Sequence, residues 1–543
     1  MKFRDQLWDR QDVQEYSIAN SESVKPVSFS NRSQTAEAIQ SWLVYNLAQR
    51  LKLEPQEIEI QKDFIDYGLN SIEAINLSGE LENFLGCRLD PTLIWDYPNI
   101  ETLVLYLAGE SDISESASEL CAANGSAAPK AEPGEIPPEY YRFDLYPEYR
   151  QLQQQLDAIA SLGISNPYFT AHERVVNDTT LVGGRELINY STYNYLGMSG
   201  DPAVSKAAKE AIDRYGTSVS ASRVASGEKP LHQEMERAIA DLVGSEDAIV
   251  YVGGHATNVT TISHLFGQND LIVHDSLSHN SILQGCVLSG ASVIAFPHND
   301  WQTLDQMLCE RRHCYRRVLI VIEGVYSMDG DIPDLPQFIE VKQRHKAFLM
   351  VDEAHSSGVL GKHGRGIGEY FGVNPDDVDL WMGTLSKSFA SCGGYIAGCK
   401  AVVEYLKYTA PGFVYSVGLS PANAAAALAA IRLLEAEPER VARLRDRSKL
   451  FLELAQAREL NTGMSKDSAV VPIIVGDSVQ CIQLSEALFK RGINVQPMCF
   501  PAVPSGTARL RFFISCSHSS EQIRFTVDTV AEEFAKLCPE YTN

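Results

Sequence analysis

The residues with the clearest chemical potential are Asp352 and Lys387. Asp352 ends the apolar run FLMVD, and Lys387 follows 35 residues later, between two serines and after another strand-like run. Alone, a lysine is usually a solvated surface residue, and an aspartate after a strand is often a helix cap. The pair is more informative, because a pyridoxal phosphate (PLP) enzyme needs a lysine amine for the cofactor and a carboxylate against its ring nitrogen.

Five β-rich segments alternate with helical stretches around this pair. The alternation predicts βαβ units and an α/β fold with a mostly parallel sheet between helices. Ligands of such folds bind at the carboxyl ends of the strands, where Asp352 and Lys387 are expected. Beyond about residue 425, long helices and the strand-like ARLRFFIS predict a smaller α+β subdomain. The five segments are AIVYV (248–252), LIVHD (271–275), SVIAF (292–296), VLIVIEG (318–324) and FLMVDEA (348–354).

The N-terminal part of the chain has an all-helical pattern. Ser33 is a candidate N-cap for the first helix, and a second helix is expected to begin at Asn70. A third short element surrounds Leu93–Trp95, and a fourth helix follows Pro98. Four helices within about 80 residues predict a small bundle. The apolar positions at helical spacing are Ile39, Leu43, Leu47, Leu51, Ile72, Ile75, Leu77, Leu81, Ile100, Leu103, Val104 and Leu107.

The segment between the bundle and the α/β region changes character. It is rich in Ser, Ala, Pro, Gly and Glu and cannot build a core, so it is expected to be a mobile linker. It serves either as a tether that lets the bundle visit a distant site or as a passive spacer. The predicted organisation is an N-terminal arm (1–32), the bundle (33–110), the linker (111–137), an N-terminal segment of the α/β region (138–190), a large domain (191–425) and a small domain (426–543).

Ser71 lies in the stretch DFIDYGLNSIEAINLSGELE, and WDYPNIE follows downstream. A serine at a helix start is commonly only an N-cap. Together, however, the two stretches resemble the acyl carrier protein family, in which the serine of a D-x-G-L-x-S motif carries 4′-phosphopantetheine. The resemblance implies attachment at Ser71, although Asn70 stands where relatives usually have Asp. A helix N-terminus suits a phosphodiester; the alternative is an unmodified structural bundle.

The composition narrows the classes of partner. The chain has 70 Asp and Glu against 46 Lys and Arg, for a formal net charge of −24. Such a surface repels nucleic acid and anionic membranes, so neither is expected as a partner. The charged N-terminus lacks a signal-peptide pattern, and the apolar run at 424–434 is too short to span a bilayer.

The 11 cysteines are dispersed, with no C-x-x-C pair. An odd, scattered set suits a reducing cytoplasm better than a disulfide framework. Cys309 and Cys314 flank His313 in the segment CERRHC, but no second ligand pair follows, so the segment is interpreted as a basic helix and no metal site is expected.

Residues from about 185 to 520 resemble the α-oxoamine synthase family of fold-type I PLP enzymes. Relatives include 8-amino-7-oxononanoate synthase, 5-aminolevulinate synthase and serine palmitoyltransferase. The order of several motifs along the chain matches that family, and together they are specific. They are NYSTYNYLGMSG, YGTSVSASRVASGEKPLH, YVGGHATN, HDSLSHNSI, EGVYSMDGDIPDL, VDEAHSSGVLG, GTLSKSF and ARLRFFIS.

The resemblance assigns roles around the cofactor ring. Lys387 matches the Schiff-base lysine, which also moves the α-proton, and Asp352 matches the carboxylate on the ring nitrogen. His279 matches the histidine stacked on the ring; a satisfied core histidine is the alternative. Ser327 and His355 match residues near the ring hydroxyl.

The resemblance also implies where the cofactor phosphate binds. Gly253, Gly254 and His255 stand where the family begins a helix under the cofactor, and exposed amides with a helix dipole suit a phosphate there. Relatives usually carry Phe or Tyr at the place of His255. Thr384 and Ser386 resemble further phosphate contacts, although Ser386 is equally explained as filler beside the lysine.

Asn194 and Arg511 match the pair that holds the carboxylate of the amino acid in the family. A guanidinium fork suits that task. Arg509 and Arg511 alternate along ARLRFF, so both are expected on one face of the strand. The family match, rather than position, selects Arg511.

The resemblance further implies a homodimer whose subunits share their active sites. The segment 413–421, FVYSVGLSP, matches a loop that reaches the neighbouring subunit's phosphate site. Val417 and Gly418 stand where relatives often have another hydroxyl, which leaves Ser416 as the candidate contact.

These features predict condensation of a small amino acid with an acyl thioester on Ser71, with loss of CO₂ and formation of an α-amino ketone. That activity implies a phosphopantetheinyl transferase and upstream acyl-loading or polyketide enzymes as partners. One alternative uses acyl-CoA, with a regulatory carrier, and another is a catalytically silent scaffold. A third alternative, simple transamination or aldol cleavage by PLP, leaves the carrier without a task. Glycine, alanine and serine all stay open as the amino acid.

Overall fold

The computed structural model describes two compact units, which divide the chain at residues 1–157 and 158–543. Asn70 and Ser71, and nearly all of the predicted arm and linker, lie outside the described residues. The described residues are 36–51, 53, 55–62, 64–67, 77, 81, 84–85, 97, 99–107, 136–161, 166–499, 502–504 and 506–537.

The N-terminal unit contains the apolar helix faces that the sequence predicts. Helix α1 (Ala36–Leu51) buries its apolar stripe against helix α2 (Ile100–Leu107). Of the helix expected from residue 70, Leu77 and Leu81 are described, and both are fully buried in the same core. Helix α3 (Pro147–Ser161) follows farther along the chain. The shared core is formed mainly by Ile39, Leu43, Leu47, Ile58, Phe64, Ile100, Leu103, Val104 and Leu107.

A seven-stranded sheet forms the centre of the second unit. Its spatial order is β3-β9-β8-β7-β6-β4-β5, and the neighbours from β8 through β5 run parallel, whereas β9 is antiparallel to both of its neighbours. All five predicted strands are confirmed. The strands are β3 (Asp247–Tyr251), β4 (Leu271–Asp275), β5 (Ser292–Phe296), β6 (Val318–Glu323), β7 (Phe348–Asp352), β8 (Leu380–Thr384) and β9 (Gly394–Gly398).

Two hydrophobic cores cover the two faces of this sheet. Successive residues of a strand point to opposite faces. Along β7, Leu349 and Val351 accordingly belong to one core and Met350 to the other. The helices that enclose the sheet are α4 (Pro202–Tyr215), α5 (Pro230–Val243), α6 (Gly254–Leu265), α7 (Asn280–Ser289), α8 (Trp301–Arg311), α9 (Leu335–His345), α10 (Ile367–Phe371), α11 (Lys400–Thr409), α12 (Pro411–Val414) and α13 (Pro421–Ala436).

A smaller α+β region completes the unit, as the sequence predicts. Strand β13 lies between β10 and β12, and a second small sheet joins β1 and β2 to β11. Because β2 pairs with β11, the segment just before the large sheet is built into the C-terminal region. The elements are β1 (Thr179–Val182), β2 (Arg185–Asn189), β10 (Val470–Gly476), β11 (Ile493–Asn494), β12 (Pro497–Met498), β13 (Ala508–Phe513), α14 (Glu439–Ala457), α15 (Ser478–Lys490) and α16 (Ser520–Leu537).

Two negative findings concern the described residues alone. None of their helices has both the length and the apolar character needed to cross a membrane. Their eight cysteines are all free thiols.

A buried ion-pair cluster ties helix α5 to the turn before it. The guanidinium of Arg223 donates to Glu228 and to Glu236, each at 2.5 Å, and Glu236 is 3% exposed. Glu236 also accepts from the backbone N–H of Val250 on β3 and lies 3.1 Å from Lys407. The cluster therefore joins one edge of the sheet to its covering helices.

Replacing Arg223 by Met should lower the free energy of unfolding by about 3 kcal/mol, because a buried carboxylate loses its main partner. Equilibrium urea denaturation followed by near-UV circular dichroism measures the change. Arg432→Met is the matched control, since Arg432 pairs with Glu234 on the same helix but both side chains are more than half exposed. That control should cost less than about 1 kcal/mol; equal losses would contradict the assignment.

Candidate active site

The candidate site lies at the carboxyl ends of neighbouring parallel strands. Strands β6, β7 and β8 end at Glu323, Asp352 and Thr384. Glu323 is directly opposite Asp352 in the ladder, so two buried carboxyl groups meet at this edge. The sequence placed Asp352 and Lys387 at strand ends, and the sheet brings those ends together.

Asp352 is a buried carboxylate, 4% exposed, whose neighbours are neutral hydrogen-bond donors. Its Oδ2 accepts from Asn258 Nδ2 at 2.8 Å, and its Oδ1 accepts from the backbone N–H of Ala354 at 2.9 Å. Within the described part of the chain no ion pair involves Asp352. A buried charge needs a cationic partner, and a protonated pyridine nitrogen is a cation of the right kind, so Asp352 fits the PLP ring.

Helix α6 begins with the two predicted glycines, beside the end of β8. A Cβ on Gly254 would come within 2.9 Å of Thr384 Oγ1, so a side chain at this position would crowd the strand end. The first N–H groups of a helix have no intrahelical partner and carry positive potential. Asn258, which binds Asp352, lies four residues on, about 6 Å along the axis. One helical turn therefore joins a helix N-terminus that suits a phosphate to the buried Asp352.

The amine of Lys387 is strongly perturbed. Burial lowers the pKa of Lys387 to about 8, against a partial opposing effect of the Asp352 and Glu323 charges. Its Nζ lies 5.5 Å from the centroid of the Tyr193 ring. A larger share of Lys387 is therefore in the nucleophilic, neutral form near pH 8 than for an ordinary lysine.

His279 caps helix α7. Its backbone N–H donates to Glu323 Oε1 at 2.6 Å, and its Nδ1 accepts from the backbone N–H of Ser281. Although the residue is exposed in the single chain, the surrounding protein displaces water and lowers the pKa of His279. Burial also raises the pKa of Glu323 well above its usual range, and the nearby Asp352 charge adds to the effect.

His355 is held in one orientation by a tyrosine. The ring Nδ1 lies 2.7 Å from the hydroxyl of Tyr195. Burial lowers the pKa of His355 well below its usual range and raises the pKa of Tyr195, so both groups are neutral where they meet. In the tautomer in which Nδ1 accepts from the phenol, the ring proton is on Nε2, which is then a donor.

The guanidinium of Arg511 is only partly hydrogen-bonded in the described structure. It donates to the backbone carbonyl of Ser327 at 2.9 Å, while its buried Nε has no partner in the described structure. Arg509 contacts Asp329 in the same loop, which confirms that both arginines lie on one strand face. A buried, unpaired guanidinium N–H next to Lys387 fits a substrate carboxylate.

Tyr193, rather than the Asn194 selected by the family match, is the residue that faces Lys387. The amide of Asn194 is engaged by backbone groups of two segments: it donates to the carbonyl of Val176 and accepts from the N–H of Ser199. Tyr193 instead packs on Phe513, with ring centroids 4.7 Å apart, and faces Lys387. The carboxylate role of Asn194 therefore stays a prediction, and Tyr193 is the residue of this pair at the centre of the site.

His298 contacts the loop that contains Ser327, through Asp331. Its Nδ1 and Nε2 lie 2.8 Å from Asp275 and Asp331. Burial alone would lower the pKa of His298, but the two carboxylates raise it to about 10. A histidinium between two carboxylates thus joins the end of β4 to the loop.

The other predicted contacts are spread around the site. Thr384 Oγ1 accepts from the N–H of Ser386 at 3.3 Å, and Ser386 and His255 are exposed. Ser416 lies on the same loop as Tyr415, which is 87% exposed. The hydroxyl of Ser416 donates to the adjacent carbonyl of Val417. The role of Ser416 as a contact to the phosphate of a neighbouring subunit therefore stays a prediction.

Four residues escaped the sequence reasoning: Asn258, Glu323, Tyr193 and Tyr195. Each has an individually common residue type, and its importance comes from a contact made across the fold. A signal was present for Tyr193 and Tyr195, because both belong to the quoted motif NYSTYNYLGMSG. Asn258 lies one turn after the glycine pair, and Glu323 ends a strand as Asp352 does, which is the signal that could have found them.

In the cofactor-free protein, the rate of PLP capture should rise with pH through a midpoint near 8, because the neutral amine of Lys387 is the nucleophile. Stopped-flow absorbance across a pH series measures this rate. The control is an unburied lysine derivative, whose amine should titrate near the ordinary, higher pKa of lysine. A midpoint shared by the two amines would contradict the burial effect.

Comparison with known proteins agrees with this geometry. Residues 185–530 match the family described as aminotransferase class I and II, and residues 41–107 match the phosphopantetheine attachment site. The 8-amino-7-oxononanoate synthase of Symbiobacterium thermophilum is 38% identical over 71% of this chain and 97% of its own length. That of Fervidobacterium nodosum is 40% identical over 65% of this chain and 91% of its own length.

A solved structure gives the same result. Serine palmitoyltransferase of Sphingomonas wittichii is 33% identical, with a TM-score of 0.69 over 73% of this chain and 99% of that protein. The relatives are PLP-dependent C-acyltransferases, and the attachment domain supports phosphopantetheine as a second cofactor. The chain therefore belongs to the aminotransferase class I and II family, as a PLP-dependent acyltransferase of the α-oxoamine synthase type, and carries a phosphopantetheine attachment domain ahead of it.

Proposed function

We propose that the chain condenses a small amino acid with an acyl thioester carried on phosphopantetheine at its own Ser71. The α-carbon of the amino acid bonds to the acyl carbon, and the carrier thiol leaves. The carboxyl group departs as CO₂, a proton returns to the α-carbon, and the product is an α-amino ketone. This reaction off-loads a fatty acyl or polyketide chain from its carrier.

The observation that carries the proposal is the presence of both functions in one chain. A phosphopantetheine attachment domain at 41–107 precedes the synthase region at 185–530. Linking donor and enzyme raises the effective concentration of the thioester and restricts which acyl groups arrive. A carrier with no acyl substrate to deliver would have no chemical purpose here.

The charged residues divide the work at the amino acid. Bound PLP supplies a ring that withdraws the electron pair left when the α-proton is removed. Asp352 holds the proton on the ring nitrogen, and Lys387, with its pKa lowered to about 8, accepts the α-proton near neutral pH. Arg511 orients the carboxylate through its unpaired Nε.

Neutral donors control the rest of the site. The Nε2–H of His355 is directed by Tyr195 and can donate to the ring hydroxyl. His279, held by Glu323 and Ser281, would lie against the cofactor ring and help to position the incoming thioester. The N-terminus of helix α6, with Thr384 and Ser386, holds the phosphate.

The chain is proposed to act as a cytoplasmic homodimer. The loop around Ser416 exposes Tyr415 and Val417 in the single chain, at 87% and 51%. Such apolar exposure is typical of a surface covered by another subunit. A phosphopantetheinyl transferase must modify Ser71, and upstream acyl-loading or polyketide enzymes must charge it.

One observation favours a rival in which acyl-CoA is the donor and the carrier is regulatory. The Symbiobacterium synthase is matched over 97% of its length by 71% of this chain, so the synthase region alone corresponds to a nearly complete relative. That arrangement is compatible with a donor delivered from solution. The two proposals differ in whether Ser71 is required.

Ser71→Ala should abolish product formation after the chain has been treated with a phosphopantetheinyl transferase and an acyl-CoA, because no thioester can form in cis. Intact-protein mass spectrometry of carrier loading, together with CO₂ release on addition of glycine, alanine or serine, measures the effect. Ser41→Ala, on the exposed face of helix α1, is the matched control and should retain activity. Undiminished turnover of Ser71→Ala with acyl-CoA would establish the rival.

Arg511→Lys should raise the KM for the amino acid by roughly 10- to 100-fold, since a charge-assisted hydrogen bond is worth about 1.5–3 kcal/mol. The KM for the acyl donor should stay unchanged, and steady-state kinetics with each substrate varied in turn separates the two. A rise in the donor KM with an unchanged amino acid KM would place Arg511 at the wrong substrate.

A further inference from the structure

Three metal-ligating side chains meet away from the active site, between helices α8 and α9. Asp305 and Cys309 are four residues apart on α8, so they share one face of the helix. His345 is the last residue of α9. One ligand atom from each of the three, an Asp oxygen, the Cys sulfur and a His nitrogen, lies within 4.8 Å of the other two. No other group of this kind occurs among the residues that the structure describes.

We propose that Asp305, Cys309 and His345 bind a zinc ion that connects the two helices. Thiolate, imidazole and carboxylate are the three ligand types that zinc prefers, and zinc commonly takes three protein ligands with water in the fourth position. Magnesium and calcium are disfavoured because they favour oxygen ligands alone. The site is independent of the proposed condensation.

Two of the three ligands, Asp305 and His345, are already held close to the required arrangement. Asp305 Oδ1 lies 2.8 Å from His345 Nε2, and Arg344 holds the other oxygen, Oδ2, at 2.6 Å. The main-chain carbonyl of His345 accepts from Arg312 Nε at 2.7 Å, which fixes the end of α9. With zinc bonds of about 2.0–2.3 Å, the oxygen and nitrogen need to separate by only a few tenths of an ångström.

Access to the site is one-sided. The His345 side chain is 8% exposed and that of Asp305 is 22% exposed, whereas Cys309 is an exposed residue at the rim. An ion can therefore enter from solvent past the thiol and come to rest on a largely buried imidazole. The carboxylate supplies a negative charge at the entrance.

Binding releases one proton. The Cys309 thiol loses its proton to become the thiolate ligand, and His345 binds through the Nε2 lone pair while its ring proton is carried on Nδ1. Zinc affinity should therefore fall as the pH is lowered, because protons compete for both ligands. No oxidation or reduction is involved.

One ligand of this site, His345, ends the helix of the βαβ unit that leads to Asp352. Helix α9 is followed directly by β7, which ends at Asp352. The segment CERRHC contains one of the proposed ligands, Cys309, and the other two do not form a second pair downstream. They are Asp305, one turn earlier, and His345, from a helix that only the fold brings alongside.

The test uses the full-length PLP-bound protein titrated with Co²⁺, a spectroscopic substitute for zinc. One equivalent should give visible d–d bands of a low-coordinate thiolate site, at longer wavelength than the PLP absorbance, and Zn²⁺ should displace them. Cys309→Ser and His345→Gln should each weaken Co²⁺ binding at least about tenfold. Cys314→Ser and His313→Gln are matched controls in the same segment and should bind as the wild type does.

A thermal measurement gives a second readout. Added Zn²⁺ should raise the Tm of the wild type and the controls but not that of Cys309→Ser, because only the native state holds the complete site. The proposal is overturned if one equivalent of Co²⁺ gives no thiolate band, if Cys309→Ser keeps the band, or if Cys314→Ser loses it. Failure of any Ser71 experiment leaves these outcomes unchanged.

Discussion

The site depends above all on one carboxyl group, Asp352, that is buried inside a protein core. Asp352 is 4% exposed, and its partners within the described chain are the neutral donors Asn258 and Ala354. Water cannot screen a charge in this position, so the carboxylate favours a cation brought by the cofactor. The same low polarity lowers the pKa of Lys387 to about 8 and raises that of Glu323. A single physical condition, burial, therefore perturbs the ionisable groups at this edge of the sheet.

Helix α6 sets the distance between Asp352 and the helix N-terminus that lies beside Thr384. Its first turn begins at a glycine pressed against Thr384, and its Asn258 reaches back to Asp352. A positive helix end for a phosphate and a polar contact for a ring nitrogen thus belong to one rigid element. Arg511 reaches the site separately, from a small sheet whose Arg509 contacts the same loop.

The two units of the chain contribute different kinds of specificity. In the synthase unit, buried ionisable groups form the candidate site, and the relative from Symbiobacterium thermophilum is matched over 97% of its length by 71% of this chain. Under the proposed function, the carrier unit holds the acyl group covalently. Under the proposed function, selectivity for the acyl chain then depends partly on which enzymes can load Ser71, rather than on the pocket alone.

The sequence by itself determined five of the seven strands of the large sheet, the apolar faces of the carrier helices, and Asp352, Lys387, His279 and Arg511 as candidates. These follow from local periodicity and from motifs whose residues are close along the chain. Tertiary structure alone decided that Asn258 and Glu323 flank Asp352, that Tyr193 rather than Asn194 faces Lys387, and that His345 joins Asp305 and Cys309. Such contacts join residues from about 30 to almost 200 positions apart, and short-range patterns carry no record of which distant side chain folding will place beside another.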